Sequence, residues 1–93
     1  MPPTYTVELT GAAGRQLRKL DRAAQHRIIT ALEVLQENPR PPAVRALVGH
    51  PGYLRVRTGH LRIVYTVVDA RLLILVLASG DRRDVYESLE RST

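Results

Sequence analysis

Six residues in the second half of the chain carry side chains suited to holding an anion: Arg55, Arg57, Arg62, Arg82, Arg83 and Tyr86. A guanidinium is a planar fork of donors that pairs bidentately with phosphate or carboxylate, and it keeps its charge in proteins. Arg55 and Arg57 stand two apart in Tyr53-Leu54-Arg55-Val56-Arg57. That alternation has the period of a strand, so both arginines point to one face while Leu54 and Val56 take the other. Arg62 lies across a presumed hairpin, three residues beyond Gly59. Strand register, which sequence does not fix, decides whether it joins them. Arg82 and Arg83 sit just beyond an apolar strand that runs to Ser79, and Tyr86 follows Arg82 by four residues. If the strands pair as a meander, these groups converge on one surface. The alternative is a solvated sheet face, which carries Arg in many proteins.

The charge balance of the whole chain agrees with a polyanionic partner. Fourteen Lys and Arg against nine Asp and Glu give a formal net charge of +5 and a pI near 10.4 in 93 residues. Such a balance favours nucleic acid or an acidic peptide. Thirteen of the fourteen cations are Arg, with Lys19 the exception. A GC-rich genome is an equal explanation of that Arg bias, but not of the net charge. There is no Cys, hence no disulfide framework and no thiolate zinc site. The three His residues do not have zinc-ligand spacing. No metal or cofactor is expected. The start, Met1-Pro2-Pro3-Thr4-Tyr5, lacks the basic and apolar regions of a signal peptide. The longest apolar run, Leu72 to Ala78, is too short to span a bilayer. A cytoplasmic protein with no membrane partner is expected.

The elements that must position the arginines follow from periodicity. Tyr5 to Leu9 alternates as a half-buried strand. Thr10 offers an N-cap hydroxyl, and Ala13, Leu17 and Leu20 share one face of the helix that follows. Asp21 is the turn and cap before a second helix with the stripe Ile28, Ala31, Leu32 and Leu35, which Asn38-Pro39 stops. The two helices form an αα-hairpin. Arg40 to Pro51, punctuated by prolines and Gly49, reads as loop. Strands at Tyr53–Arg57, Leu61–Val68 and Leu72–Ala78 follow, joined by turns at Thr58-Gly59 and Asp69-Ala70-Arg71. The last is apolar throughout, so it should lie centrally with both faces covered. Tyr86 to Arg91 is a short helix or a frayed tail. The order β-α-α-β-β-β over 1–93 predicts a single α+β domain, an antiparallel sheet with the N-terminal helical hairpin on one face.

Two late segments resemble the RelE/ParE family of toxins from bacterial type II toxin–antitoxin pairs. Tyr53-Leu54-Arg55-Val56-Arg57-Thr58-Gly59-His60-Leu61-Arg62-Ile63-Val64-Tyr65 is similar to the family's basic strand, Gly turn and Arg with a following Tyr. Gly80-Asp81-Arg82-Arg83-Asp84-Val85-Tyr86 is similar to its C-terminal motif of Gly, Arg and Val-Tyr. The opening strand, the helices ending at Asn38-Pro39, and Leu47 with Gly49 fit as well, so the resemblance covers roughly the whole chain.

The resemblance implies a RelE-like fold and an mRNA interferase. Such an enzyme is an endoribonuclease that enters the ribosomal A site and cuts mRNA without metal, the 2′-hydroxyl attacking the adjacent phosphate to leave a 2′,3′-cyclic phosphate. Carried over residue by residue, Arg62 and Arg82 would stabilise charge on the phosphoryl oxygens, and Tyr86 would stack on a base or orient a hydroxyl. Arg55, Arg57 and Arg83 would bind the RNA backbone. The implied partners are mRNA, the rRNA of the A site and a cognate acidic antitoxin. Asp81 stands where many relatives have His or Lys, and Leu61 where a Tyr usually precedes the Arg. Arg does not readily deprotonate, so the general base is open between Asp81 and His60, with His50 less suited. The alternatives are a ParE-type inhibitor of DNA gyrase, whose relatives generally lack the full basic and Tyr set, and an inactive toxin that acts as a co-regulator with its antitoxin.

Overall fold

The computed structural model describes residues 4–81 together with 83, 85, 86 and 89. Strand β1 (Thr6–Leu9) leads into α1 (Gly11–Lys19), which Thr10 caps by accepting from the Ala13 amide at 3.2 Å. Asp21 repeats the device, accepting from the Ala24 amide at 2.8 Å to open α2 (Arg22–Glu37). Asn38 leaves the helix in an extended conformation, as a residue before proline should.

Inside the stretch read as loop lies a two-residue strand, β2 (Arg45–Ala46). β3 (Leu54–Thr58), β4 (Leu61–Val68), one 3-10 turn (Asp69–Arg71) and β5 (Leu73–Asp81) complete the sheet, whose order is β1-β5-β4-β3-β2. The α+β architecture and the helical hairpin on one face are as expected. The sheet is mixed rather than antiparallel, because β1 runs parallel to β5, with Thr6 opposite Leu73 and Leu9 opposite Val76. A parallel pair needs only a long crossover, which the rest of the chain supplies. Alternating hydrophobicity reads the same in both directions, so it could not reveal strand direction.

The helix-side core joins Ala13, Ile28, Leu32 and Leu35 to Leu61, Ile63, Tyr65, Ile74 and Val76, with Leu17 and Leu20 partly buried at its border. The other face has its own apolar cluster of Leu47, Val64, Ala78, Val85 and Leu89. Arg83, Val85, Tyr86 and Leu89 are helical, and Val85 and Leu89, four apart, bury one stripe on that face. The apolar run is therefore covered on both sides, as its composition requires.

A β-bulge makes this possible. Val64 faces Ala78 but Tyr65 faces Val76, so Leu77 is an extra residue that inverts the alternation of β5. Ahead of it Ile74 and Val76 face the helices. Beyond it Ala78 turns to the second face. Ser79 turns inward, where its hydroxyl donates to the Ala13 carbonyl at 3.1 Å.

The far end of the sheet is closed by polar contacts. Arg40 forks onto Asp69 at 2.8 and 3.1 Å, and the Tyr5 hydroxyl donates to the same carboxylate at 2.8 Å. Arg40, through that direct hydrogen bond, holds the Asp69 carboxyl below its usual range, and Tyr5 adds to the effect. The Tyr65 hydroxyl donates to the Pro39 carbonyl at 2.7 Å, and burial pushes that phenol up to about 12. Among the described residues no helix is long and apolar enough to cross a membrane.

Candidate nucleic-acid interface

Register settles what the sequence left open. Arg57 lies directly opposite Arg62, Arg55 opposite Val64, and Arg45 opposite Arg55. Residues directly opposite share a face. Arg45, Arg55, Arg57 and Arg62 therefore stand side by side across three strands, on the face away from α1 and α2. The turn that sets this register is tight: Thr58 pairs with Leu61, leaving only Gly59 and His60 between. Gly59 has φ +64, and a Cβ there would meet the Arg27 guanidinium of α2 at 2.6 Å. The left-handed backbone is what needs glycine here; the Arg27 guanidinium is the end of an exposed, flexible side chain and can move aside.

The four arginines differ in environment. Arg57 and Arg45 are exposed, Arg55 is half-buried, and Arg62 keeps only 8% of its surface accessible. The Nε of Arg62 is buried with no hydrogen-bond partner among the described residues. A buried polar group normally has one, and leaving a charged one without is costly. Among the described residues no carboxylate pairs with any of the four. By contrast Arg40, half exposed, has a forked carboxylate partner at 2.8 Å. Next to Arg62 on β5 lies Gly80, at φ +146, which contributes no side chain to the face. Arg45, Arg55 and Arg57, with Ala43, line an open cleft of about 300 Å³.

The other residues singled out from the sequence are distributed around this row. Tyr86 is half-buried and packs against the apolar cluster of the same face. Arg83 is helical and exposed. Arg82 lies outside the described residues. Asp81 pairs with Leu61, whose side chain is in the helix-side core, so register puts Asp81 on the side away from Arg62. Leu61 is fully buried there. Its replacement of a Tyr thus changes the core and leaves the arginine face untouched. His60 is exposed on the turn between Arg57 and Arg62, and His50 stacks on Tyr53 with ring centroids 5.5 Å apart. Among the described residues no cluster of His, Asp and Glu is arranged to hold a metal ion.

Arg45 was missed because it falls among prolines. The only local signal is the short alternation Val44-Arg45-Ala46-Leu47, whose outer members are the inward-packed ones.

On the far side of the β3 edge, an apolar groove of about 520 Å³ separates α2 from β3. Ala31, Val34, Leu35 and Val56 form its floor, with His26, Arg27 and Arg57 at its rim.

Comparison with known proteins gives a consistent picture. Residues 7–86 match the family model described as ParE toxin of the type II toxin–antitoxin system parDE. A putative RelE-like toxin protein of Escherichia coli is 33% identical over 85 residues, covering 88% of this chain and 90% of its own length. Among solved structures, the toxin–antitoxin complex RelBE2 of Mycobacterium tuberculosis superposes with a TM-score of 0.75 at 26% identity, covering 85% of this chain and 99% of the other. The isolated RelE toxin of E. coli gives 0.73 at 26% identity over 96% and 99%. The intact E. coli RelBE complex gives 0.72 at 26% over 83% and 95%.

Proposed function

The chain belongs to the RelE/ParE family of type II toxin–antitoxin toxins, and on that premise we propose that it is an endoribonuclease that cuts mRNA in the ribosomal A site. The observation that carries this reading is Arg62: nine-tenths buried, its Nε without a partner among the described residues, directly opposite a second arginine. A bound phosphate would supply the acceptor that this guanidinium lacks.

In the proposed reaction the 2′-oxygen of one nucleotide bonds to the adjacent phosphorus, the bond to the 5′-oxygen breaks, and a 2′,3′-cyclic phosphate results. The 2′-hydroxyl proton leaves to a base, and the 5′-oxygen gains a proton. Charge grows on the non-bridging oxygens, and Arg62 and Arg82 are the proposed donors that stabilise it there. Arg55, Arg57 and Arg83 hold the flanking backbone, and Tyr86 stacks on an unstacked base. His60, exposed on the turn between Arg57 and Arg62, is the proposed acceptor of that proton, because the pairing of Asp81 with Leu61 puts Asp81 on the other face.

Two of the solved relatives named above are complexes of toxin with antitoxin. An acidic antitoxin is accordingly the proposed partner of this chain, wrapping the helical pair and the sheet so as to cover Arg55 and Arg62. The matching family model is described as ParE toxin, and the second reading is accordingly the ParE-type one, inhibition of DNA gyrase without cleavage. Mapping mRNA ends on programmed ribosomes separates the two. The proposal expects cleavage in the A-site codon. Intact mRNA together with stalled gyrase would replace it with the second reading.

A further inference from the structure

Resting on that reading, we propose that Arg45 holds a further phosphate of the bound RNA, so that the binding cleft ends at the β2 edge of the sheet. Three observations support it. First, Arg45 faces Arg55 directly on the arginine face and lines the same cleft of about 300 Å³ as Arg55 and Arg57. Cross-strand neighbours are about 5 Å apart and alternate residues of a strand about 7 Å apart. The row from Arg62 through Arg57 and Arg55 to Arg45 is thus one continuous path.

Second, Arg45 is oriented in advance. Its Nη1 donates to the Pro42 and Val44 carbonyls, each at 2.9 Å. Those two contacts fix the guanidinium plane, while Nη2 and Nε have no partner among the described residues.

Third, the arrangement opposes the fold's own stability. Like charges directly opposite in a sheet are destabilising, and here two such pairs adjoin, Arg45 with Arg55 and Arg57 with Arg62. An extended polyanion running along the row relieves both. An acidic peptide would relieve them too. Among the described residues the open cleft is lined by three arginines and Ala43, which suits a sugar–phosphate backbone better than a side-chain-bearing peptide.

The test compares the full chain, Arg45→Gln, Arg45→Lys and, as control, Arg71→Gln, an exposed arginine on the turn at the far end of β4 and β5. Affinity for a short single-stranded RNA is measured against salt concentration, and the melting temperature is measured alongside. A lost phosphate contact lowers the salt slope by about 0.7 for a single strand. Arg45→Gln is expected to show that loss with a melting temperature unchanged or raised, a combination that a structural role would not produce. Arg45→Lys should restore the slope but only part of the affinity, and Arg71→Gln should keep both. An unchanged slope in Arg45→Gln, while the parent chain binds RNA in a salt-dependent way, overturns this inference alone. Equal losses in Arg71→Gln overturn it too, as an effect of total charge. Loss of binding by Arg45→Gln to a polyglutamate peptide but not to RNA assigns the cleft to acidic peptide and also overturns it. A parent chain that binds neither the RNA nor programmed ribosomes removes the functional reading itself, and this inference with it.

Discussion

The two faces of the sheet answer the same chemical problem in opposite ways. Under α1 and α2, the polar groups that enter are satisfied. Ser79 donates to the Ala13 carbonyl and Tyr65 to the Pro39 carbonyl, and the rest is apolar packing at full burial. On the other face, four arginines line up, none of them paired with a carboxylate among the described residues, and one of them is buried. The same chain shows, at Arg40, that it can supply an arginine with a forked partner. The helix face therefore serves stability, and under the proposed function the arginine face is completed by a phosphate backbone.

The largest effects should separate these roles. Ile28→Ala, at a fully buried position on the helix face, should lower unfolding free energy by about 2–5 kcal/mol in a denaturant titration. In so small a domain much of the population would unfold, and activity would fall for that reason alone. Arg62→Met should do the reverse. Replacing a buried guanidinium whose Nε has no partner among the described residues by an apolar side chain should leave stability equal or higher, while RNA cleavage falls. A lower melting temperature for Arg62→Met would show that Arg62 belongs to the scaffold.

An intermediate effect is expected where the two faces meet. Gly59→Ala forces a left-handed backbone on a residue with a side chain, at about 1–2 kcal/mol, and also displaces the Arg27 guanidinium. Because this turn sets the pairing of Arg57 with Arg62, the variant should lose RNA affinity along with stability. Thermal melts and RNA titrations together check it. Loss of stability with full affinity would mean that the turn does not hold the arginine row in register.

The smallest effects lie at the far end of the sheet. Asp69 is depressed below its ordinary range in the folded chain by Arg40 and then Tyr5. Its contribution is therefore present above the unfolded carboxylate value and lost as pH falls through the folded one. Both partners are solvent-exposed, so Asp69→Asn should shift acid unfolding only slightly. Tyr65 has the opposite sign. Its folded value is raised to about 12, so the stability it confers is complete below about 10 and is lost as pH climbs through 12. Ultraviolet titration should show a phenol ionising near 12, and Tyr65→Phe should remove it.

What the sequence disclosed depended on how local each feature is. The caps at Thr10 and Asp21, the stop at Asn38-Pro39 and the stripe Ile28-Leu32-Leu35 all follow from chemistry within one or two turns of helix, and each is where its residues place it. The shared face of Arg55 and Arg57 followed from strand period in the same way. The position of Arg62 did not, because it depends on the turn holding two residues and not three, and one residue more would have turned it into the core. The parallel placement of β1 was hidden because alternation carries no direction. The bulge at Leu77 was hidden because an unbroken apolar run has no alternation to interrupt. β2, and with it Arg45, was masked by Pro41 and Pro42, which signal a loop correctly on one side of a strand only two residues long.

The central claim is that Arg62 is held buried and incomplete so that a phosphoryl group can complete it. Single-turnover cleavage of mRNA on programmed ribosomes, comparing the parent chain with Arg62→Ala and Arg62→Lys, tests it most directly. The expected result is a roughly ten- to thousandfold slower rate for Arg62→Ala, partial recovery in Arg62→Lys, and melting temperatures no lower than the parent's. Cleavage by a folded Arg62→Ala at the parent rate would contradict the account.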